Sequence, residues 1–333
     1  MTVKEQVLLI LLENKNDPVS GQELANRLNC SRGAVWKAVK ELEAEGYEIS
    51  GVNKKGYTLK RSGDNLSRAF IEERLGKSGA GLKVETYAVI DSTNSLLKRY
   101  ASNGETGDML VASEEQTAGR GRRGRSFYSP KGTGVYMSFL LHPTMPAGEA
   151  ARLTTLAAVA TAEAIETVTG ETTEIKWVND IRVRGKKVCG ILTEAQTSME
   201  DGTLDHCIVG IGINLYEPCG GFPDEIKDVA GAVCREEKKE NLKNEIVSEV
   251  ALRLLKYYSE LSEKTYLEGY RKRCFCIGRY VCVMTADHEE RESNGPDRVH
   301  AHVLGIDDEC HLHVRYNDGF EEYLSSGEIS IKV

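Results

Sequence analysis

The residues best suited to chemistry lie between Glu115 and Pro130, a segment that we call the arginine loop. Its basic residues are Arg120, Arg122, Arg123 and Arg125, and they alternate with Gly119, Gly121 and Gly124. Glycine lets a backbone approach a ligand closely, and arginine binds a phosphate or carboxylate through a planar fork. The middle of the segment lacks apolar residues, so we predict a mobile loop that closes over an anionic ligand.

The alternative for the arginine loop is a disordered basic linker or a nucleic-acid-binding patch. Apolar, strand-like segments flank it at residues 108–113 and 135–141. They place the loop inside a folded domain and favour the anion-binding interpretation.

Three further groups carry polar side chains that could meet the same ligand. They are Ser92-Thr93-Asn94, Lys176-Trp-Val-Asn-Asp180, and Lys187 with Gly190. The first lies at a predicted strand-to-helix junction, where it could bind a polar ligand or simply cap the helix. Arginine, lysine and an Asn-Asp pair suit nucleotide chemistry in which Mg²⁺ helps to neutralise phosphate charge. The chain has no P-loop and no evident Ser/His/Asp set, which excludes P-loop nucleotide binding and a serine-triad hydrolase. The basic residues and the Asn-Asp pair therefore indicate an ATP-using enzyme, with adenylation as one option.

The elements that must position these groups follow from apolar periodicity. After a linker at residues 62–65, the pattern predicts helices over 68–75, 95–101, 148–170 and 241–261, and strands over 83–90, 108–113, 135–142, 174–178, 181–183, 187–194 and 206–215. From residue 278 onward only short strands are predicted. This order indicates a mainly antiparallel α+β domain followed by a small barrel.

The first 62 residues have the pattern of a winged helix-turn-helix. A helix over residues 4–14 precedes a second helix capped by Ser20 and a third capped by Ser31. A hairpin with the basic tip Lys54-Lys55 follows. We predict that the third helix enters the major groove of DNA and that the tip touches phosphate. A small helical domain used for protein contacts is the alternative.

Composition and charge set the outer limits. The chain has 333 residues and a net charge of −8, yet residues 1–62 carry ten Lys or Arg against eight Asp or Glu. This favours local anion sites over a protein that coats nucleic acid along its length. The start lacks the features of a signal peptide, no apolar run is long enough for a membrane span, and nine scattered cysteines argue against a disulfide framework. We therefore predict a cytoplasmic protein without membrane partners.

Five motifs together resemble one family. They are Asp91-Ser-Thr-Asn94, the run from Gln116 to Arg125, Lys176-Trp-x-Asn-Asp180, Lys187-Val-Cys-Gly-Ile-Leu192 and Gly210-Ile-Gly-Ile-Asn214. The set resembles the biotin–protein ligases, and the N-terminal winged helix makes the chain similar to the bifunctional type that also represses biotin genes. The resemblance covers nearly the whole chain, and the arginine run is its most specific part.

The fold that this resemblance implies is a multidomain α+β architecture. Residues 1–62 would form the winged helix-turn-helix DNA-binding domain. Residues 63–274 would form the catalytic domain, a central mixed or antiparallel sheet with helices like that of class II aminoacyl-tRNA synthetases and biotin ligases. Residues 275–333 would form a small SH3-like β-barrel.

The activity that the resemblance implies is a two-step ligation. Biotin and ATP, with Mg²⁺ as cofactor, would give biotinyl-5′-AMP, and a lysine of the biotin carboxyl carrier protein would then accept the biotin. The other implied partners are operator DNA of biotin genes and a second copy of the chain in a ligand-promoted homodimer.

The resemblance also implies roles for individual residues. Biotin would be held by Ser92, Thr93, Asn94, Gln116, Arg120, Gly121, Arg122, Lys187, Gly190 and Gly210. ATP would be bound by Arg120, Arg122, Arg125, Phe127, Asn179 and Lys187, with Mg²⁺ arriving on ATP near Asn179 and no direct protein site for a metal. Catalysis would depend on Lys187, Arg122 and Asp180, and DNA would be contacted by Ser31, Arg32, Lys37, Lys40, Lys54 and Lys55.

The chain departs from the family pattern at two positions, and one side chain keeps two interpretations. Val178 stands where proline is usual, and Phe127 stands where tryptophan is common. Neither change removes a charge, so activity should survive, and adenine packing is the part in question. Trp177 could belong to the core or flank the adenine.

Four histidines form a separate pattern. His300, His302, His311 and His313 lie on predicted strands, where alternation puts each pair on one face. They could bind a metal, although surface histidines are the commoner explanation.

Two other functions remain open at this stage. The chain could be a ligase whose winged helix has no regulatory role. It could also be a lipoate or octanoate transferase, which shares the catalytic architecture, but the arginine loop and the winged helix argue against that.

Overall fold

The structure is a computed structural model that describes residues 1–14, 17–52, 56–197, 202–235, 239–284, 300–325 and 328–331. Within these ranges, none of the helices has the length and apolar character needed to cross a membrane.

The N-terminal helices begin where small hydroxyl side chains cap them. Helices α1 (Val3–Glu13), α2 (Gly21–Arg27) and α3 (Arg32–Ala44) have Thr2, Ser20 and Ser31 as N-caps, respectively, each accepting from the amide three residues on. Strands β1 (Glu48–Val52) and β2 (Gly56–Arg61) then pair antiparallel. Buried residues of all three helices and of the hairpin form one core of their own. The predicted winged helix-turn-helix is therefore confirmed.

A mixed seven-stranded sheet forms the centre of the described molecule, in the order β3-β4-β5-β9-β8-β7-β6. Its strands are β3 (Lys83–Tyr87), β4 (Met109–Ser113), β5 (Gly134–Leu141), β6 (Thr173–Lys176), β7 (Asp180–Val183), β8 (Lys186–Thr197) and β9 (Leu204–Asn214). Strands β3 and β4 are parallel, and every other neighbouring pair in this sheet is antiparallel. The central mixed sheet was thus predicted correctly.

Helices cover both faces of this sheet, which explains why β5 is buried along its whole length. They are α4 (Arg68–Leu75), α5 (Thr93–Ser102), α6 (Ala151–Thr169), α7 (Leu242–Ser259) and α8 (Leu267–Arg273). Side chains alternate across a strand, so Met109 and Val111 pack with α5, whereas Leu110 and Ala112 join the large core that includes α6 and α7. This arrangement leaves the N-terminus of α5 over the central strands, where Thr93 contacts Ser138 of β5 and Asn94 contacts Glu194 of β8.

The C-terminal strands form a small antiparallel sheet, which agrees with the predicted small β domain; its SH3-like barrel form stays a prediction. Strands β10 (Tyr280–Met284), β11 (His300–Ile306), β12 (Leu312–Tyr316), β13 (Glu321–Leu324) and β14 (Glu328–Ile331) pair in the order β13-β12-β11-β10-β14. Their buried face belongs to the same core as the central sheet. The indole N–H of Trp177 donates to the carbonyl of Cys310 over 3.1 Å. The boundary at residue 274 stays a prediction, since apolar packing continues across it.

A buried polar cluster ties the linker after β2 to the central domain. Glu114 accepts from the amide of Leu66 at 2.7 Å and lies 3.6 Å from the ammonium of Lys243, at the start of α7. The Glu114 and Lys243 side chains are only 8% and 5% exposed. Asp64 accepts from the backbone amide of Lys243 at 2.8 Å. This cluster joins the linker that follows the N-terminal winged helix-turn-helix to the residue that directly precedes the arginine loop.

Replacing Lys243 with methionine should lower the free energy of unfolding by about 3–5 kcal/mol, because it leaves the Glu114 charge buried without its cation. Urea unfolding would measure this loss. Lys256→Met, at an exposed position of the same helix, is the control and should change stability by no more than about 0.5 kcal/mol. Adding Glu114→Gln should recover much of the stability lost in Lys243→Met; equal stability of wild type and Lys243→Met would contradict the prediction.

Candidate active site

A cavity of about 360 Å³ opens over the central sheet, beneath the arginine loop. Its walls include the N-terminus of α5, the turn between β6 and β7, and strands β8 and β9. Every residue predicted to bind biotin or ATP or to take part in catalysis lines it: Ser92, Thr93, Asn94, Gln116, Arg120, Gly121, Arg122, Arg125, Phe127, Asn179, Asp180, Lys187, Gly190 and Gly210. The other lining residues are Ser126, Met137, Lys176, Trp177, Ile191, Leu192, Ile211, Gly212, Val229 and Ile329.

The start of α5 serves as both a helix cap and a cavity wall. The hydroxyl of Ser92 accepts from the amide of Ser95 at 3.4 Å, which is the capping role. Asp91 is held by Arg99 at 2.7 Å, and hydrogen bonding from this arginine lowers the pKa of the Asp91 carboxyl. Ser92 therefore caps the start of the helix, and Ser92, Thr93 and Asn94 all line the cavity. Ligand binding by this segment stays a prediction.

A chain of short hydrogen bonds connects the polar residues of this wall. The side-chain oxygen of Gln116 accepts from the amide of Thr93 at 2.9 Å. The hydroxyls of Thr93 and Ser138 lie 2.6 Å apart, and Ser138 donates to the side-chain oxygen of Asn94 at 2.6 Å. The amide nitrogen of Asn94 donates to Glu194 at 2.9 Å. All of these groups are buried or half-buried, so their orientations are held by one another.

Glu194 stands at the end of this chain as an ionised carboxylate. Burial raises its pKa, but hydrogen bonds from Asn94 and Lys98 outweigh that effect, and the pKa lies below its usual value. Its second oxygen lies 2.9 Å from Lys98 and 3.5 Å from Arg120. Neither Glu194 nor Ser138 was predicted from the sequence.

The floor of the cavity consists of glycines on paired strands, with Gly190 opposite Gly212 and Gly210 opposite Leu192. The resemblance assigns Gly190 and Gly210 to biotin binding, which implies that biotin lies against the sheet at these positions. The space above Gly210 is instead occupied by the carboxamide of Asn94, with which a methyl group would overlap. A methyl group on Gly212 would lie 2.6 Å from the ring of Phe127, and one on Gly190 would lie 3.1 Å from it. These glycines therefore admit protein side chains that shape the cavity.

Replacing Gly210 with alanine should displace Asn94 and weaken biotin binding by about tenfold or more, since a buried hydrogen-bonded group would lose its partners. Calorimetric titration with biotin would measure this change. Gly305→Ala, where a methyl group meets open space, is the control glycine. Unchanged biotin affinity in Gly210→Ala would show that the Asn94 position is unimportant.

The arginine loop folds back on itself above the floor. The amide of Gly121 donates to the carbonyl of Arg125 at 2.7 Å, and the amide of Phe127 donates to that of Gly119 at 3.0 Å. Arg123 adopts a φ of 53° at the tip. From this turn, Arg122 reaches the side-chain oxygen of Asn179 at 2.9 Å. The contact joins the loop to the turn between β6 and β7, so the loop spans the cavity.

Lys187 projects from β8 beside Asp180, with 2.6 Å between the ammonium nitrogen and the carboxylate oxygen. Its backbone is fixed on both sides, because its amide donates to Val229 at 2.8 Å and its carbonyl accepts from Gly231 at 2.9 Å. Asn179 is equally constrained, since its side-chain amide donates to the carbonyl of Ile191 at 2.9 Å. The end of the cavity that suits phosphate therefore holds a fixed cation, a carboxylate and a carboxamide.

The aromatic residues occupy places that the sequence left open. Phe127 lies on the glycine floor and meets Tyr136 edge-on with 6.2 Å between ring centroids, so its assignment to ATP stays a prediction. Trp177 is only 3% exposed, which supports its core role, although one edge lines the cavity. The carbonyl of Val178 accepts from the hydroxyl of Tyr270 at 3.1 Å.

Ile329 shows that the C-terminal sheet contributes to the cavity, a point that the sequence did not decide.

The four C-terminal histidines have different neighbours. His300 lies near Cys282 at 3.2 Å, His311 near Asp307 at 2.9 Å and His313 near Glu321 at 2.8 Å, and His302 lies beside the ring of Tyr280. In the described ranges, no group of three or more His, Cys, Asp or Glu is arranged to hold a metal. These neighbours fit surface histidines better than the alternative of a shared metal site.

The DNA-facing residues predicted on α3 share one exposed side. Ser31, Arg32, Lys37 and Lys40 are exposed, as is Trp36 at 57%. Lys37 and Lys40 form surface ion pairs with Glu41 and Glu43, which are weak enough to be exchanged for phosphate contacts. Lys54 and Lys55 lie outside the described residues, so their role stays a prediction.

Comparisons with known proteins agree with this geometry. Residues 86–214 match the model described as Biotin/lipoate A/B protein ligase family, and residues 3–58 match a model described as HTH domain. The chain is 34% identical over 325 residues to the Bifunctional ligase/repressor BirA of Bacillus subtilis, covering 98% of both chains. It is 30% identical over 329 residues to the protein of the same name from Escherichia coli, covering 98% of this chain and 96% of the relative.

A solved structure has the same fold over most of the chain. The biotin protein ligase from Aquifex aeolicus, in complex with biotin and ATP, has a TM-score of 0.60 and 27% sequence identity. The match covers 75% of this chain and 98% of that one.

Proposed function

The chain belongs to the biotin/lipoate A/B protein ligase family, and we propose that it is a biotin–protein ligase that also represses transcription in response to biotin. It activates biotin with ATP to biotinyl-5′-AMP and transfers the biotin to a lysine of the biotin carboxyl carrier protein. The observation that carries the ligase function is the single cavity in which the Thr93–Gln116 wall meets Lys187 and Arg122 under one loop. One end suits a polar uncharged ring, and the other suits anions.

In the activation step, an oxygen of the biotin carboxylate attacks the α-phosphorus of ATP and pyrophosphate leaves. The reactants are both anions, so cations must offset their repulsion. We assign that role to Lys187, whose ammonium is anchored by Asp180 at 2.6 Å. The loop arginines surround the carboxylate and the phosphates: they are Arg120, Arg122 and Arg125.

Mg²⁺ fits this site as an ion that arrives with the nucleotide. The oxygen donors at one edge of the cavity are the carboxylate of Asp180, which also pairs with Lys187, and the carboxamide of Asn179, which also accepts from Arg122. So few ligands suit Mg²⁺ that keeps several waters and binds mainly through phosphate oxygens. When bound, it would neutralise phosphate charge, while Asn179 and Asp180 orient its shell and the approaching amine.

In the transfer step, the amine of the acceptor lysine attacks the carbonyl carbon of the mixed anhydride and AMP leaves. The anhydride must be protected from water until then. The contact between Arg122 and Asn179 closes the loop across the cavity, which supports a covering role. The reaction takes place in the cytoplasm in this proposal.

The polar wall of the cavity argues against the alternative of a lipoate or octanoate transferase. Thr93, Asn94 and Gln116 offer hydrogen bonds that suit a ring with both N–H and C=O groups, which those acids lack. Incubation with Mg·ATP, biotin and a carrier fragment, followed by an avidin blot, should label the carrier. Transfer of lipoate or octanoate without biotin labelling would overturn the ligase assignment.

The repressor function rests on the exposed face of α3 and on the buried polar cluster between the linker after β2 and the start of α7. Binding of adenylate would order the arginine loop and promote a homodimer through the central sheet, and the dimer would place two winged helices on a palindromic operator. Glu114 supports this coupling because it contacts the linker at Leu66 and directly precedes the loop. By reciprocity, the dimer would hold adenylate more tightly.

A gel shift with the biotin operon region tests the repressor function. We expect binding that strengthens when biotin and ATP are both present. Arg32→Ala together with Lys40→Ala should weaken this binding and leave carrier biotinylation intact. DNA binding that is equally strong with and without biotin and ATP would contradict the proposed coupling. No DNA binding at all would favour the ligase-only alternative.

A further inference from the structure

We propose that Glu194 is a positioning residue that sets the specificity of the cavity by fixing the direction of hydrogen bonding from Asn94 through Ser138 to Thr93. This inference rests on the proposed function, because it identifies the part of biotin that the wall selects, namely a ring N–H donor. Glu194 has no predicted role in the sequence motifs.

The direction of hydrogen bonding follows from the chemistry of the groups in order. An ionised carboxylate can only accept, so Glu194 requires the NH₂ of Asn94 to face it, over 2.9 Å. The carboxamide oxygen of Asn94 must then face Ser138, and it accepts the hydroxyl hydrogen of Ser138 at 2.6 Å.

The hydroxyl of Thr93 is consequently left as an acceptor. Ser138 has already donated its one hydrogen, so the 2.6 Å contact between the two hydroxyls requires Thr93 to donate to Ser138; the side-chain oxygen of Gln116, 3.2 Å away, is a more distant second acceptor for the same hydrogen. With its hydrogen used, Thr93 presents oxygen lone pairs to the cavity that it lines. A ligand N–H finds an acceptor there, whereas a ligand carbonyl does not.

The two oxygens of Glu194 have different partners, which makes a glutamine substitution informative. One oxygen lies 2.9 Å from Lys98 and 3.5 Å from Arg120, and the other accepts from Asn94. In Glu194→Gln, the single oxygen would turn to the two cations, and the new NH₂ would face the NH₂ of Asn94. Two donors repel, so Asn94 would rotate, Ser138 would donate to Thr93, and Thr93 would turn its own hydrogen to the side-chain oxygen of Gln116, 3.2 Å away. The Ser138 hydrogen would then occupy a lone pair of Thr93 that a ligand N–H needs.

The test compares steady-state constants of the full chain in the biotin-dependent exchange of pyrophosphate into ATP. Glu194→Gln should raise the KM for biotin by about tenfold or more and leave the KM for ATP within about twofold. Lys98→Met is the matched control, since it removes the exposed lysine that pairs with the same carboxylate but leaves the carboxylate and its contacts with Asn94 and Arg120, and it should change the KM for biotin by no more than about twofold. Exchange by the wild type is the precondition: its absence would refute the proposed function itself.

A second variant distinguishes hydrogen-bond direction from simple packing. Adding Asn94→Asp to Glu194→Gln lets the new glutamine donate to a carboxylate that still accepts from Ser138. The KM of the double variant for biotin should therefore return most of the way to the wild-type value. An unchanged biotin KM in Glu194→Gln, equal rises for biotin and ATP, or failure of the double variant to improve on the single one would each overturn the role of Glu194 while leaving the ligase function standing.

Discussion

Replacing Lys187 with alanine should slow biotin activation by about 10²–10³-fold, the range found when one preorganised charge-stabilising group is removed from an active site. The ammonium lies in the cavity, 2.6 Å from Asp180, and its backbone is fixed by residues 229 and 231. It can therefore meet developing negative charge without reorganising. The effect should fall on kcat more than on the KM for biotin, because the charge develops in the transition state. Single-turnover formation of biotinyl-5′-AMP would measure it.

The adjacent lysine provides the control for this prediction. Lys186 directs its ammonium to the backbone carbonyls of Lys227 and Asp228, at 3.4 and 2.6 Å, and does not line the cavity. Lys186→Ala should keep a rate within about twofold of the wild type. A normal activation rate in Lys187→Ala, with the far-UV circular dichroism of the wild type, would refute the assigned role.

Replacing Arg122 with glutamine should separate activation from retention of the intermediate. The change removes a cation from the anion end and breaks the 2.9 Å contact with Asn179 that closes the loop. Activation should slow by about tenfold or more, and biotinyl-5′-AMP should leave the enzyme faster because the cover opens. Rapid dilution of the loaded enzyme, followed by measurement of free adenylate and AMP, would show this release.

Arg123 serves as the control within the same loop. It lies at the tip of the turn with a φ of 53° and is not among the cavity-lining residues. Arg123→Gln should retain adenylate as the wild type does. If Arg122→Gln also releases adenylate at the wild-type rate, the contact with Asn179 does not close the site.

The sequence was informative wherever local chemistry determines structure. The Ser20 and Ser31 caps, the end of α6 at Gly170 with a φ of 76°, and the turn at Arg184-Gly185 were all readable from residue type. The ligand-binding motifs were equally readable, and all of them line one cavity. Helix α8 and the parallel pairing of β3 with β4 were missed, because seven residues carry little periodicity and pairing direction depends on distant parts of the chain.

The unpredicted site residues share one property. Glu194 and Ser138 contact Asn94, which lies 100 residues from Glu194 in sequence, and Ile329 reaches the cavity from the C-terminal sheet. A glutamate on an alternating strand is usually solvated, so its type and spacing gave no signal. Gly212 could have been found, because it belongs to the Gly-x-Gly-x-Asn motif at residues 210–214 and faces the same side of the strand as Gly210.

The structure shows what surrounds Phe127 and Val178, the two residues that depart from the family pattern. Phe127 keeps an aromatic ring on the floor formed by Gly190 and Gly212, where an N–H donor is not required for packing. Val178 is buried, and its carbonyl is held by Tyr270. Neither replacement disturbs the cation and amide groups around Lys187, which supports the expectation that activity survives.

The most direct measurement of the central claim is exchange of labelled pyrophosphate into ATP by the wild-type chain with single carboxylic acids. The claim is that one cavity joins a biotin-selective polar wall to an anion-binding end. We predict Mg²⁺-dependent exchange with biotin and exchange at background level with lipoate or octanoate. Equal or faster exchange with lipoate or octanoate would contradict the account.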